Sequence, residues 1–216
     1  MTRRLREVNR RYGSGVPRRE PVPRAPGRPA RHSRDELLAL VAGEFLARGY
    51  DATSMEDLAR ATGLTKSSIY HHVSGKEQLL RRAVARAVDA LFAVLDEPAS
   101  TAGPAVVRLE HVVRRSLQVL AAELPYVTLL LRVRGNTEAE RWALERRRAF
   151  DDRLSALVQA AIDEGDLRGD LDPRLVTRLL FGMVNSTAEW LRPDAEGVAR
   201  VGDALVALAF AGLARR

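Results

Sequence analysis

A serine or threonine three residues ahead of a glutamate marks a helix start: the hydroxyl takes an amide hydrogen of the first turn, and the carboxylate reaches back to the cap. Four such pairs, Ser33–Glu36, Thr53–Glu56, Ser74–Glu77 and Thr137–Glu140, each open a run whose apolar residues recur every three or four positions. That spacing makes one face of a helix and defeats a strand, whose faces alternate every second residue. Neither strand alternation nor an internal repeat competes with it. The chain is expected to be all-α.

The densest signals lie between residues 33 and 80. Leu37, Leu38, Val41, Phe45 and Leu46 give the first helix one apolar face before Gly49 ends it. A second helix is expected from near Ser54, with Met55, Leu58 and Ala59 turned inward, until Gly63 supplies the backbone freedom of a tight turn. Thr65 then caps a third, whose buried side would carry Ile69, Tyr70, His72 and Val73, and whose other face carries Lys66, Ser67, Ser68 and His71. Two short helices about a glycine turn, the second with a polar, cationic start, are what a helix-turn-helix lays into the DNA major groove. Lys66, Ser67, Ser68 and His71 are the expected contacts to base edges, with Thr65 at the helix start beside them. Thr53, Tyr70 and Lys76 are expected to hold phosphates.

Residues 33–80 resemble the DNA-binding domain of the TetR/AcrR family of bacterial repressors. Gly63-Leu64-Thr65, Ile69-Tyr70-His71-His72-Val73 and Ser74-Gly75-Lys76-Glu77 fall in that family's order and spacing, with Val73 where the family usually has phenylalanine. The resemblance implies a three-helix helix-turn-helix domain joined by a connector helix to a helical ligand-binding and dimerisation domain. It also implies a homodimeric repressor that binds a palindromic operator in double-stranded DNA and is released by a small-molecule inducer.

The net charge of +7 gains meaning when divided along the chain. Residues 1–34 hold 11 arginines against Glu7 and Glu20, a balance of +9, which leaves −2 for residues 35–216. Residues 1–32 mix ten of those arginines with Pro17, Pro21, Pro23, Pro26 and Pro29 and read as a disordered basic arm. Charge concentrated at one end suits a polyanion held there. Deleting residues 1–30 should therefore lower DNA affinity with little change in the preferred sequence, because phosphate neutralisation needs only charge. A changed consensus would show that the arm reads bases.

From residue 77 to about 97, Leu79, Leu80, Ala83, Val84, Ala87, Val88, Leu91, Phe92 and Leu95 keep helical spacing and form the connector. Pro98 to Pro104 reads as a loop, and residues 81–216 as a whole read as a helical body. Expected helices there span about 104–124, a shorter piece ending at Gly135, about 137–165, 172 to Trp190, and 195–214. In the family the last two helices dimerise. Leu179, Met183, Leu205, Leu208 and Phe210 give this pair more apolar surface than one inward face requires. Leu117, Tyr126, Leu130, Trp142, Phe150, Phe181 and Asn185 combine large apolar bodies with a few polar tips, as a ligand pocket does. The stretch 165–193 is similar to that of family members that control acyl-CoA or lipid metabolism, except that Ser186 stands where an aromatic is often found.

Other classes find less support. His71 and His72 are adjacent on a helix and cannot face one metal, and there is no cysteine, Gly-rich phosphate loop or G-x-S-x-G elbow. No enzymatic activity, cofactor or metal is expected. The absence of cysteine fits a reducing cytoplasm, the expected location. The longest apolar run, Ala204 to Ala214, is too short to span a membrane, and the N-terminus lacks the apolar core of a secretory signal. Two rival functions remain at this level: a constitutive DNA-binding protein without an inducer, and a helical ligand-binding protein whose helix-turn-helix is vestigial.

Overall fold

The computed structural model describes residues 33–214, apart from His72, Pro193 and the side chain of Arg34. The basic arm at residues 1–32 and the expected burial of His72 lie outside the described residues. Within them the chain is helical throughout, with one isolated backbone bridge between Leu167 and Ala214.

Three short helices come first: α1 (Arg34–Arg48), α2 (Met55–Thr62) and α3 (Lys66–Tyr70). Val41, Ala42 and Phe45 of α1, Leu58 of α2 and Ile69 of α3 are almost fully buried together with Val73. Each large side chain so removed from water contributes about 1.5–3 kcal/mol. Gly63 ends α2 with φ 66°, a left-handed conformation suited to glycine, and its amide donates back to Ala59 and Arg60 carbonyls. α4 (Lys76–Leu95) follows, 20 residues long, so about 30 Å from end to end. Its buried stripe, Leu79, Leu80, Ala83, Val84, Ala87 and Val88, matches the expected connector face. It packs on α1 and on α6 (Ala105–Ala122), α7 (Leu124–Arg132) and α8 (Glu138–Asp163), so one helix belongs to both ends of the molecule. α9 (Pro173–Ser186) packs on α8, and α10 (Ala195–Leu213) on α6.

The four expected capping boxes fare differently. Ser33–Glu36 forms completely: the Glu36 amide donates to Ser33 Oγ at 3.2 Å and the Ser33 amide to Glu36 Oε2 at 2.8 Å. The second box shifts by one residue, to Ser54 and Asp57, because Thr53 is buried and its hydroxyl donates to the Gly49 carbonyl at 2.7 Å. The third does not form. Gly75 caps α4 without a side-chain bond, and the Glu77 carboxylate instead accepts the Ala139 amide at the start of α8, 3.0 Å away. The fourth forms by half: Thr137 Oγ1 accepts the Glu140 amide, while the buried Glu140 carboxylate accepts the Gly135 and Asn136 amides at 3.0 and 2.6 Å.

Two connections also differ from expectation. The Pro98 to Pro104 loop contains a one-turn helix, α5 (Pro98–Thr101), started by a proline at its first position and held by Ser100, whose hydroxyl donates to the Val94 carbonyl. α9 stops at Ser186, and a 3₁₀ turn (Thr187–Glu189) leads to an exposed Trp190.

Glu97 fastens the end of α4 to α6. It accepts from Arg115 Nη2 at 2.8 Å and lies 2.7 Å from His111 Nε2. The bonds from Arg115 hold its carboxyl below the ordinary range, burial opposes them, and His111 adds to them. A depressed carboxylate contributes stability above its unfolded pKa, here 4.5, and loses it as the pH falls through the folded value. Glu97→Gln should thus lower the melting temperature at neutral pH, and the gap to the parent should close below about pH 4.5. A gap that persists in acid would assign the loss to packing.

Candidate nucleic-acid interface and internal cavity

α3 stands at the surface because only Ile69 of its five residues is buried. Thr65 Oγ1 accepts the Ser68 amide at 3.1 Å and sets the helix start, so its side chain serves the cap. Lys66, Ser67, Tyr70 and His71 are exposed and Ser68 is half-exposed, which leaves one polar, protruding edge. Lys66 Nζ lies 2.6 Å from Glu56 Oε1 on α2, and that contact raises the ammonium pKa. The pair spans the two helices at the surface, with the side chains 49% and 67% exposed, where an ion pair is easily exchanged for another partner. Behind this edge, Asp57 is held below the ordinary carboxyl range by Ser54 and by Arg48 and Arg60.

Two expected phosphate contacts are placed otherwise. Thr53 is 1% exposed, and its hydroxyl donates to the carbonyl of Gly49, which closes the end of α1. Lys76 points into the α1–α2 turn, where its ammonium donates to the carbonyls of Tyr50, Asp51 and Thr53 at 3.0, 3.3 and 3.2 Å. An ammonium has three hydrogens, and three carbonyls account for them. Nζ also lies 4.5 Å from the centre of the Tyr50 ring. Burial, helped by Glu77, Asp51 and Glu140, pushes the Tyr50 phenol up to about 12, so it stays neutral in this nest. Lys76 thus ties the start of α4 to the turn ahead of α2.

In the body a cavity of about 50 Å³ lies between α4, α6, α7, α8 and α9. Phe92, Phe150 and Phe181 line it as a chain of edge-to-face rings, 5.7 and 5.4 Å between centres. Leu130 and Asn185 complete the expected residues found there, and Val88, Leu91, Ser116, Leu120, Val127 and Val184 extend the wall. Arg146, Arg147 and Asp151 stand at its solvent edge. Crowding raises the Asp151 carboxyl pKa, while Arg147 and Arg178 pull it down.

Three expected pocket residues sit elsewhere. Leu117 is buried and points towards Gly202 of α10. Trp142 lies beneath the Arg81 guanidinium at 3.3 Å. Tyr126 belongs to a junction: its hydroxyl donates to the Asp35 carbonyl at 3.3 Å, and Arg86 of α4 lies over its ring while bonding Glu123 at 2.6 and 3.1 Å and Asp35 at 3.0 Å. The sequence held one unused signal for the cavity, a serine at position 116 inside the apolar face formed by Leu109, Val113, Leu117 and Leu120.

Of the expected interface residues, Leu179 is 60% exposed, Leu208 76% and Met183 38%, and Leu175 and Trp190 join them at the surface. Leu205 and Phe210 are buried within the protomer, because their side of α10 packs inward. Among the described residues no cluster of metal-ligating side chains occurs, and no helix is long and apolar enough to cross a membrane.

Residues 37–83 match the model of the tetR family of bacterial regulatory proteins, and residues 102–213 that of the tetracyclin repressor-like C-terminal domain. The HTH-type transcriptional repressor KstR2 of Mycobacterium tuberculosis is 30% identical over 192 residues, spanning 84% of this chain and 93% of its own. The structure of SCO3833, a TetR-family member from Streptomyces coelicolor A3, is 59% identical with a TM-score of 0.78, over 83% of this chain and 91% of that one. AibR, solved with isovaleryl coenzyme A and operator DNA, is 25% identical with a TM-score of 0.71, over 82% and 97%.

Proposed function

The chain belongs to the TetR family of bacterial transcriptional regulators, and from that premise we propose that it is a homodimeric repressor that leaves its operator when a small, largely apolar molecule enters the body cavity. Residues 33–80 form the DNA-reading domain in this reading and residues 81–216 the ligand-binding and dimerisation domain. Lys66, Ser67, Ser68 and His71 meet base edges, and Tyr70 meets a phosphate. KstR2 is named a repressor, and AibR was captured with an acyl-CoA and operator DNA. An acyl-CoA or lipid-like metabolite is accordingly the ligand class favoured for this chain.

The observation that carries the proposal is that α4 serves both sites. Its first residue, Lys76, fixes the turn ahead of α2, and its fourth and fifth turns supply Val88, Leu91 and Phe92 to the cavity wall. α7 does the same from the side. Val127, Leu130 and Leu131 line the cavity, Arg132 donates to the Leu46 carbonyl of α1, and Tyr126 and Arg86 hold the other end of α1. At about 50 Å³ the cavity is well below the roughly 300–1,000 Å³ of common ligand sites, so an entering molecule must part α4 and α7. Parting them shifts α1 and the spacing of the two α3 helices in a dimer, by as much as the ligand prefers that state.

Selection of bound duplexes from random DNA tests the proposal. A two-fold symmetric consensus is expected, with half-sites about one helical turn apart. Recovery of unrelated sequences would overturn it.

A further inference from the structure

Ser116 is the fully buried polar side chain of the cavity wall, which the half-buried Asn185 also lines. Its side chain is 1% exposed, it lines the cavity, and its Oγ is the buried side-chain oxygen that lacks a hydrogen-bond partner among the described residues. The surrounding wall, with Leu120, Phe150, Phe181 and Val184, supplies no partner for a hydroxyl. The polar groups at the outer edge do not serve it either: Arg147 donates to the Leu130 carbonyl at 3.4 Å, and Arg146 lies 4.0 Å over the Phe92 ring.

A hydroxyl so placed discriminates between occupants. A hydrocarbon filling the cavity leaves it as unpaired as it is in the fold alone, whereas a ligand oxygen at the same depth pairs with it and gains a hydrogen bond. Sites built around such a group favour the ligand that satisfies it far more than a pocket of apolar walls can. We propose that Ser116 is a specificity-determining residue that selects ligands whose buried apolar skeleton carries a carbonyl or hydroxyl oxygen over plain hydrocarbon chains of the same size. This rests on the reading of the cavity as the effector site.

The test uses the full chain, its Ser116→Ala variant, decanoic acid and a set of oxodecanoic acids that differ in the position of the ketone. At least one oxo acid is expected to bind the parent about ten-fold more tightly than the variant, while decanoic acid binds both alike. Without ligand, the variant should melt at or above the parent temperature, since its removed hydroxyl bonded nothing in the fold. Binding of every acid equally by both proteins would overturn the selective role and leave the cavity reading intact. Failure of all the acids to bind the parent would overturn the cavity reading and the inference with it. A variant that melts several degrees lower would show that the hydroxyl has a partner in the folded protein, which overturns the inference independently of any ligand.

Discussion

Lys76→Ala should lower operator affinity at least about ten-fold while leaving the salt dependence of binding unchanged. The ammonium donates to three backbone carbonyls of one turn and sits over Tyr50. Its loss removes hydrogen bonds of the charged kind, worth about 1.5–3 kcal/mol net where they count fully. The turn it closes sets where α2 starts and hence where α3 points, and a small misplacement of base-reading side chains weakens several contacts together. The melting temperature should fall as well. A lysine that instead neutralised a phosphate would give a different pattern, with an unchanged melt and a salt slope reduced by about one phosphate. Parallel melts and salt titrations of parent and variant separate the two, and the second pattern would refute the role assigned to Lys76.

Leu179→Glu should have the larger effect on DNA binding, a loss of about 10²–10⁴-fold, through the oligomer. Leu175, Leu179 and Met183 follow one another at four-residue steps on α9, all exposed, and Leu208 is the most exposed large apolar side chain on α10. A charge buried in the centre of a two-fold interface disrupts it in both copies at once. Each separated protomer then reads one half-site without the gain that linkage provides. On a free surface the same substitution would move stability by no more than about 0.5 kcal/mol and leave DNA binding alone. Sedimentation alongside the binding assay decides the matter: a variant that stays dimeric and binds normally would move the interface elsewhere.

The all-α fold and the helix-turn-helix were legible because their signals are local. A cap, an apolar stripe and a glycine at a left-handed position lie within one turn of each other, as at Ser33–Glu36 and Gly63. The structure departs from local expectation where a side chain has a distant partner. Thr53 answers to the end of α1, Glu77 to the start of α8 and Lys76 to a turn some 25 residues earlier, none of which adjacent sequence reveals. The cavity shows the same limit. Periodicity turns Leu117, Tyr126 and Trp142 inward but does not say which neighbour each will meet, and each meets a different one. Leu205 and Phe210 read as interface because the last two helices carry more apolar surface than one inward face requires, whereas the packing of α10 on α6 takes them inside.

The central claim is that two copies of α3, held apart by one dimer, read one symmetric operator. A footprint of the DNA flanking the protein's own gene, taken at moderate salt, tests it most directly. Two protected patches on one face of the duplex, about a helical turn apart and related by a palindrome, are the predicted result. Uniform protection along the fragment, or none, would contradict it.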